Sequence, residues 1–216
     1  MFSMQRFRDE YETDSKDLAV RGESFTFFVP ASLDRFIDSD DVFHNFPLWA
    51  KLWEASLVLA DHLAGLEVKA EKTFLEIGSG LGMVGIIASR FGHRVTSTEY
   101  DPHALNFARA NARLNRCPDL EIAPLDWSKP SLEGVFDHVI GSEVIYREKD
   151  FQSLIQLFKT YLKPDGEIIL AEGVRRTTMD FLRKSQEFFK ITAQKKTLRS
   201  ENQAFPVVLC RMRAKG

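Results

Sequence analysis

Apolar and polar positions along the chain alternate between two rhythms, short apolar runs and longer helical stripes. Thr73, Phe74, Leu75 and Ile77 form a β-prone run that breaks at Gly78-Ser79-Gly80-Leu81-Gly82 and resumes as an apolar helix from Met83 to Phe91. The same succession continues downstream. Arg94–Glu99 reads as a strand, Pro102–Asn115 as a helix capped by Asp101, Leu120–Leu125 and Phe136–Ser142 as strands, and Phe151–Leu162 as a helix. A strand at Gly166–Glu172 and a helix around Thr178–Phe188 complete the alternation, which predicts an α/β doubly wound sheet. The tail, Lys190–Arg199 and Phe205–Ala214, reads as two antiparallel strands joined by a short turn.

Upstream, Trp49, Leu52, Trp53, Leu57, Ala60 and Leu63 form a stripe that predicts one helix over Phe46–Leu66. Trp53 fits either a core or a ligand wall, and Trp49 fits a core. Two β-prone stretches around Arg21-Gly22-Glu23 predict a hairpin within Leu18–Val29. Residues 1–17 read as a frayed end or a short helix, and the acidic stretch 34–41 as a solvated loop. The expected organisation is an extension over residues 1–46 and one α/β domain over 47–216.

Composition narrows the class. Of the 216 residues 44% are hydrophobic and 28% charged, with a net charge of −2, so no global basic field favours nucleic acid. No apolar run reaches the roughly 20 residues of a membrane span. The N-terminus lacks the apolar core of a secretory signal, which points to the cytoplasm. Cys117 and Cys210 are far apart, and the five histidines, His44, His62, His93, His103 and His138, lack metal-ligand spacing. No metal is expected.

The glycine loop is the main candidate for chemistry. Alternate glycines let a ligand approach the backbone, and the helix that follows offers free N–H groups. Gly80, Gly82 and Gly85 satisfy G-x-G-x-x-G, the dinucleotide pattern, but that register puts Glu76 and Gly78 where the strand should be apolar. E-x-G-x-G-x-G, from Glu76 to Gly82, fits without strain. Glu99 stands 21 positions after Gly78, where a strand-end carboxylate reaches a ribose diol, and Tyr100 beside it offers an aromatic face.

With this loop the chain resembles class I, seven-β-strand S-adenosylmethionine-dependent methyltransferases over about residues 47–213. The fold it implies is a Rossmann-like seven-stranded sheet, mostly parallel, with an antiparallel C-terminal strand. The tryptophan-containing segment before the loop, Asp126-Trp127 after the third strand and Glu143-x-x-Tyr146 after the fourth further resemble the protein-lysine methyltransferases of that class, which carry Asp-x-x-Tyr. The resemblance implies S-adenosylmethionine as cofactor, held by Trp53, Glu76, Gly78, Ser79, Gly80, Gly82, Glu99, Tyr100, Asp126, Trp127 and Ser142. It implies a protein lysine as acceptor, with Glu143 and Tyr146 as catalytic residues. A lysine amine with an ordinary pKa of about 10.4 must shed a proton before attack, so a carboxylate and a hydroxyl at the acceptor suit the chemistry. Other readings are a methyltransferase acting on a small molecule or another protein group, and a non-catalytic cofactor-binding module. A nicotinamide reductase is disfavoured because no tyrosine is followed four positions later by lysine.

Overall fold

The computed structural model describes residues 2–37, 46–200 and 203–215. His44 and residues 38–41 of the acidic stretch lie outside that range. Helix α1 (Met4–Glu10) leads into strands β1 (Thr13–Val20) and β2 (Glu23–Pro30), which pair antiparallel from Thr13↔Pro30 to Val20↔Glu23. The expected hairpin is present with longer strands. Its turn residues Arg21 and Gly22 both have positive φ, 49° and 87°, as a two-residue turn matched to strand twist requires.

The N-terminal segment is tied down where a frayed end was one expectation. Phe7 and Tyr11 are buried against Phe107, at ring separations of 5.0 Å each, and the Tyr11 hydroxyl bonds His103 Nδ1 at 2.8 Å. Residues spaced i, i+4 along so polar a segment gave little sign of this.

The predicted helix over Phe46–Leu66 is shorter. Leu48–Ala50 form one 3₁₀ turn, Trp53 is extended at ψ 147°, and helix α2 runs only over Glu54–Ala64. Trp53 Nε1 donates to the Leu48 carbonyl at 2.9 Å, a bond that holds the chain in a loop. Trp49 and Trp53 therefore precede the helix.

The α/β part follows as β3 (Thr73–Ile77), α3 (Met83–Arg90), β4 (Arg94–Glu99), α4 (Pro102–Leu114), β5 (Glu121–Pro124) and β6 (Phe136–Ser142). It continues through α5 (Phe151–Tyr161), β7 (Leu162–Gly173), α6 (Arg176–Ser185), β8 (Phe189–Ser200) and β9 (Gln203–Ala214). The seven strands lie in the order β5-β4-β3-β6-β7-β9-β8, parallel except for β9. Leu75, Ile77, Val139 and Ile168 face α5 and α6, while Phe74, Ile140 and Ile169 face α2. Strands buried on both faces read as near-continuous apolar runs, which explains their legibility. The chain leaves β3 toward β4 on one side and has β6 on the other, so the ligand crevice of a doubly wound sheet falls at the end of β3. No helix among the described residues is long and apolar enough to cross a membrane.

Two asparagines one helical turn apart dock the hairpin on α4. Asn115 accepts from Thr26 N–H at 3.1 Å and donates to Thr26 O at 2.7 Å. Asn111 repeats the pattern with Phe28, at 2.7 and 3.1 Å. Each side-chain amide replaces a missing strand partner, since a buried edge must satisfy its N–H and C=O groups. Asn111 Nδ2 also donates to Leu81 O at 3.0 Å, which ties the hairpin to the glycine loop. Asn111→Ala is expected to lower stability by about 2–4 kcal/mol in urea unfolding, because the buried Leu81 carbonyl and the half-buried Phe28 backbone lose their bonds. A change below about 0.5 kcal/mol would contradict this role.

Candidate active site

At the carboxyl ends of β3, β4 and β6 the chain encloses a cavity of about 640 Å³, an ordinary volume for a small-molecule site. The glycine loop forms one wall. Gly78, Gly80 and Gly82 have φ of 61°, 53° and 85°, where side chains are strained. Space is also short. A Cβ on Gly80 would lie 3.1 Å from the Trp49 carbonyl oxygen, and one on Gly78 would lie 3.2 Å from the Trp127 ring. Ser79 N–H donates to Thr98 O at 2.9 Å, fixing the loop to β4.

Two of the residues expected at the cofactor, Glu76 and Gly82, lie outside the cavity lining and behind the loop. Glu76 is buried beneath it and does not line the cavity; its Oε2 accepts from Ser97 Oγ at 2.5 Å, and Gly85 N–H donates to the same carboxyl. Burial pushes its pKa up to about 7, against these two donors. A Cβ on Gly85 would collide with Ser97 Oγ and Glu76 Oε2, so the last glycine of G-x-G-x-x-G makes room for an internal carboxyl. Gly82 is also outside the lining; a Cβ there would meet Ile86 Cδ1 at 3.1 Å and Ala108 Cβ at 3.2 Å.

The other candidates meet in the cavity. Trp53, Gly78, Ser79, Gly80, Glu99, Tyr100, Asp126, Trp127, Ser142, Glu143 and Tyr146 all line it. Glu99 accepts from Gly80 N–H at 2.8 Å, Tyr100 N–H at 2.6 Å and Asp101 N–H at 3.1 Å. Burial raises its pKa while these donors oppose the rise. A carboxylate has about four acceptor positions, so Glu99 keeps one beyond the three in use. Tyr100 is 72% exposed at the rim. Asp126 Oδ1 accepts from the Ser128 Oγ and N–H at 2.7 and 2.8 Å, which holds its pKa below the usual carboxylate range. Asp101 caps α4 as its sequence implied, accepting from His103 N–H at 2.7 Å, and also lines the cavity.

Opposite the loop, Ser142 Oγ bonds Ser56 Oγ of α2 at 2.7 Å. Glu143 adopts φ 54°, and its Oε1 accepts from Gly173 N–H at 2.8 Å while Oε2 pairs with Arg175. Tyr146 is half-buried, and burial raises its pKa above the ordinary 10, so its hydroxyl stays neutral near pH 7. The Arg147 guanidinium lies 5.0 Å from the Tyr146 ring centroid and pairs with Asp150 at 2.6 Å. Trp49, Arg147 and Arg175 are lining residues the sequence reading did not select. Arg175 follows the end of β7, on the ligand edge of the sheet, and that position was the one available signal. The lining carries five carboxyl side chains (Glu99, Asp101, Asp126, Glu143, Asp150) against three cations (Lys51, Arg147, Arg175). A net acidic wall suits a cationic ligand.

Comparison with known proteins agrees with this geometry. The model of the family described as "Lysine methyltransferase" matches residues 45–195. The chain is 33% identical over 181 residues to the protein N-lysine methyltransferase METTL21A of Xenopus tropicalis, covering 74% of this chain and 83% of that protein. It is 31% identical over 111 residues to the histone-arginine methyltransferase METTL23 of Rattus norvegicus, covering 48% of this chain and 49% of that protein. The crystal structure of P. horikoshii TYW2 in complex with MeSAdo superposes with a TM-score of 0.63 at 16% identity, covering 94% of this chain and 72% of that one, a likeness of fold. The chain belongs to the lysine methyltransferase family and is an S-adenosylmethionine-dependent methyltransferase.

Proposed function

We propose that the protein transfers a methyl group from S-adenosylmethionine to the side-chain amine of a lysine in another protein, with Glu143 and Tyr146 at the acceptor. The observation that carries this reading is that one continuous cavity is lined by the glycine loop at one end and by Glu143 and Tyr146 at the other. The family of the chain supports lysine over other acceptors. The cofactor supplies an electrophilic methyl on a sulfonium. The residues present fit it: the backbone at Gly78 and Gly80 leaves a cradle that a Cβ would fill, and the lining is net acidic. Glu99 would hold the ribose through its remaining acceptor position, and Asp126 and Trp127 would hold the adenine.

In-line transfer requires that an amine be presented unprotonated and aligned. Glu143 has one oxygen on Gly173 N–H and the other on Arg175, and each oxygen retains a lone pair for an ammonium hydrogen. Tyr146, neutral near pH 7, orients the amine by donating or accepting one hydrogen bond. Residues 47–216 carry the reaction, and α1 and the hairpin of the N-terminal extension buttress its cofactor wall. Two buried free thiols, Cys117 and Cys210, support work in a reducing cytoplasm. The net charge of −2 favours a protein partner over nucleic acid.

Gly80→Arg fills the cradle, so calorimetric titration should show S-adenosylmethionine binding to the wild type and none to the variant. Equal binding by both would remove the loop from the cofactor site. Glu143→Ala and Tyr146→Phe should each lower turnover by about tenfold or more while cofactor affinity changes by less than about threefold. Full activity in both variants would sink the assignment.

A further inference from the structure

The loop after β6 turns on a residue that is not glycine. Glu143 lies in the left-handed region at φ 54°, a conformation few side chains adopt without support. The support comes from β7. Register pairs Ser142 with Ala171, and Glu143 N–H donates to Ala171 O at 3.0 Å. Strand β6 ends there, so the next two amides, of Val144 and Ile145, point into the buried interior with no strand to receive them. Glu172 receives both: its Oε1 accepts from Val144 N–H at 3.0 Å and its Oε2 from Ile145 N–H at 3.3 Å.

Glu172 has no solvent exposure and does not line the cavity. Burial and the neighbouring Glu143 push its pKa up to about 8, while the two amides and Arg175 pull it down. Arg175 Nη2, 3.7 Å from Glu172 Oε2, also pairs with Glu143, so one guanidinium joins the internal carboxyl to the cavity carboxyl. An apolar residue at 172 would avoid burying an acid but would orphan two amides in the segment between Glu143 and Tyr146. The geometry therefore spends an unfavourable burial on fixing this loop.

We propose that Glu172 is a positioning residue for methyl transfer, holding Val144 and Ile145 by their amides and thereby setting Glu143 and Tyr146, on either side, against the acceptor end of the cavity. This rests on the acceptor reading above. It assigns no contact between Glu172 and acceptor or cofactor.

Glu172→Gln keeps the shape but presents an amide NH₂ to one of the two N–H donors. Three quantities test it: amide hydrogen exchange across the protein, the initial rate of tritium transfer from S-adenosylmethionine to lysate proteins, and cofactor affinity by calorimetry. Expected are faster exchange confined to the segment around Val144 and Ile145, a transfer rate down about tenfold or more, and a cofactor Kd within about threefold of wild type. Glu172→Asp keeps the carboxyl with a shorter reach; its rate should fall between the two, and it serves if the glutamine variant does not fold. Wild-type exchange and rate in the variants would overturn the proposal, as would faster exchange spread over the whole sheet with lost cofactor affinity. A wild-type protein that transfers no label fails the acceptor reading itself, whereas a labelling wild type matched by its variant fails only the role of Glu172.

Discussion

The route from β3 into α3 constrains everything else, because the chain must pass through three left-handed residues at Gly78, Gly80 and Gly82 to bring bare backbone to the cavity. Such a loop has little side-chain packing of its own and is held by hydrogen bonds from all sides. Glu99 takes the Gly80 amide, Thr98 takes the Ser79 amide, and Asn111 takes the Leu81 carbonyl. Beneath it, Glu76 satisfies Gly85 N–H near the start of α3. Helix starts leave such donors unpaired, and here an internal carboxyl serves one of them. This wall of the cavity is thus backbone fixed by buried polar groups, the arrangement that preorganised binding requires.

A second buried carboxyl does similar work across the cavity. Glu76 under the glycine loop and Glu172 under the loop after β6 are both enclosed acids whose pKa burial raises, to about 7 and about 8. Glu172 accepts two backbone amides where β6 has ended and the ladder no longer supplies partners, and Glu76 accepts the Gly85 amide in the first turn of α3 together with the Ser97 hydroxyl. Burying an acid is unfavourable, but leaving those amides orphaned is unfavourable too, and a carboxyl satisfies two donors at once. The N-terminal extension solves the same problem with amides, through Asn111 and Asn115. Phe36 of that extension and Phe107 of α4 then pack on Trp49 in the cavity wall, at 5.0 and 5.5 Å between ring centroids.

Strands β3 and β7, buried on both faces, were legible as apolar runs, whereas β4 (Arg94–Glu99), with Val95 its one apolar residue, was legible through its β-branched residues and has the bounds they implied. The glycine loop and Glu99 were legible because their spacing is local. What escaped depends on partners far apart in sequence. The stripe from Trp49 to Leu63 has helical spacing throughout, yet a bond from Trp53 to Leu48 O holds its first turns in a loop and sends both tryptophans to the cavity. Glu76 adjoins the glycine loop in sequence, but its side chain packs beneath the loop against Ser97 of β4 and Gly85 of α3, partners that its own position does not reveal. Arg175 and Glu172 gain meaning only once the register of β6 on β7 brings them beside Glu143, some thirty positions earlier. Polar residues at 111 and 115 on a buried helix face carried no periodic signal of the edge they pair with.

The most direct test of the account is to incubate the purified protein with tritiated S-adenosylmethionine and lysate proteins and to identify the labelled amino acids after complete hydrolysis. The account predicts tritium in methylated lysine. Label in methylated arginine or in a small molecule, or no transfer under conditions where the cofactor binds, would contradict it.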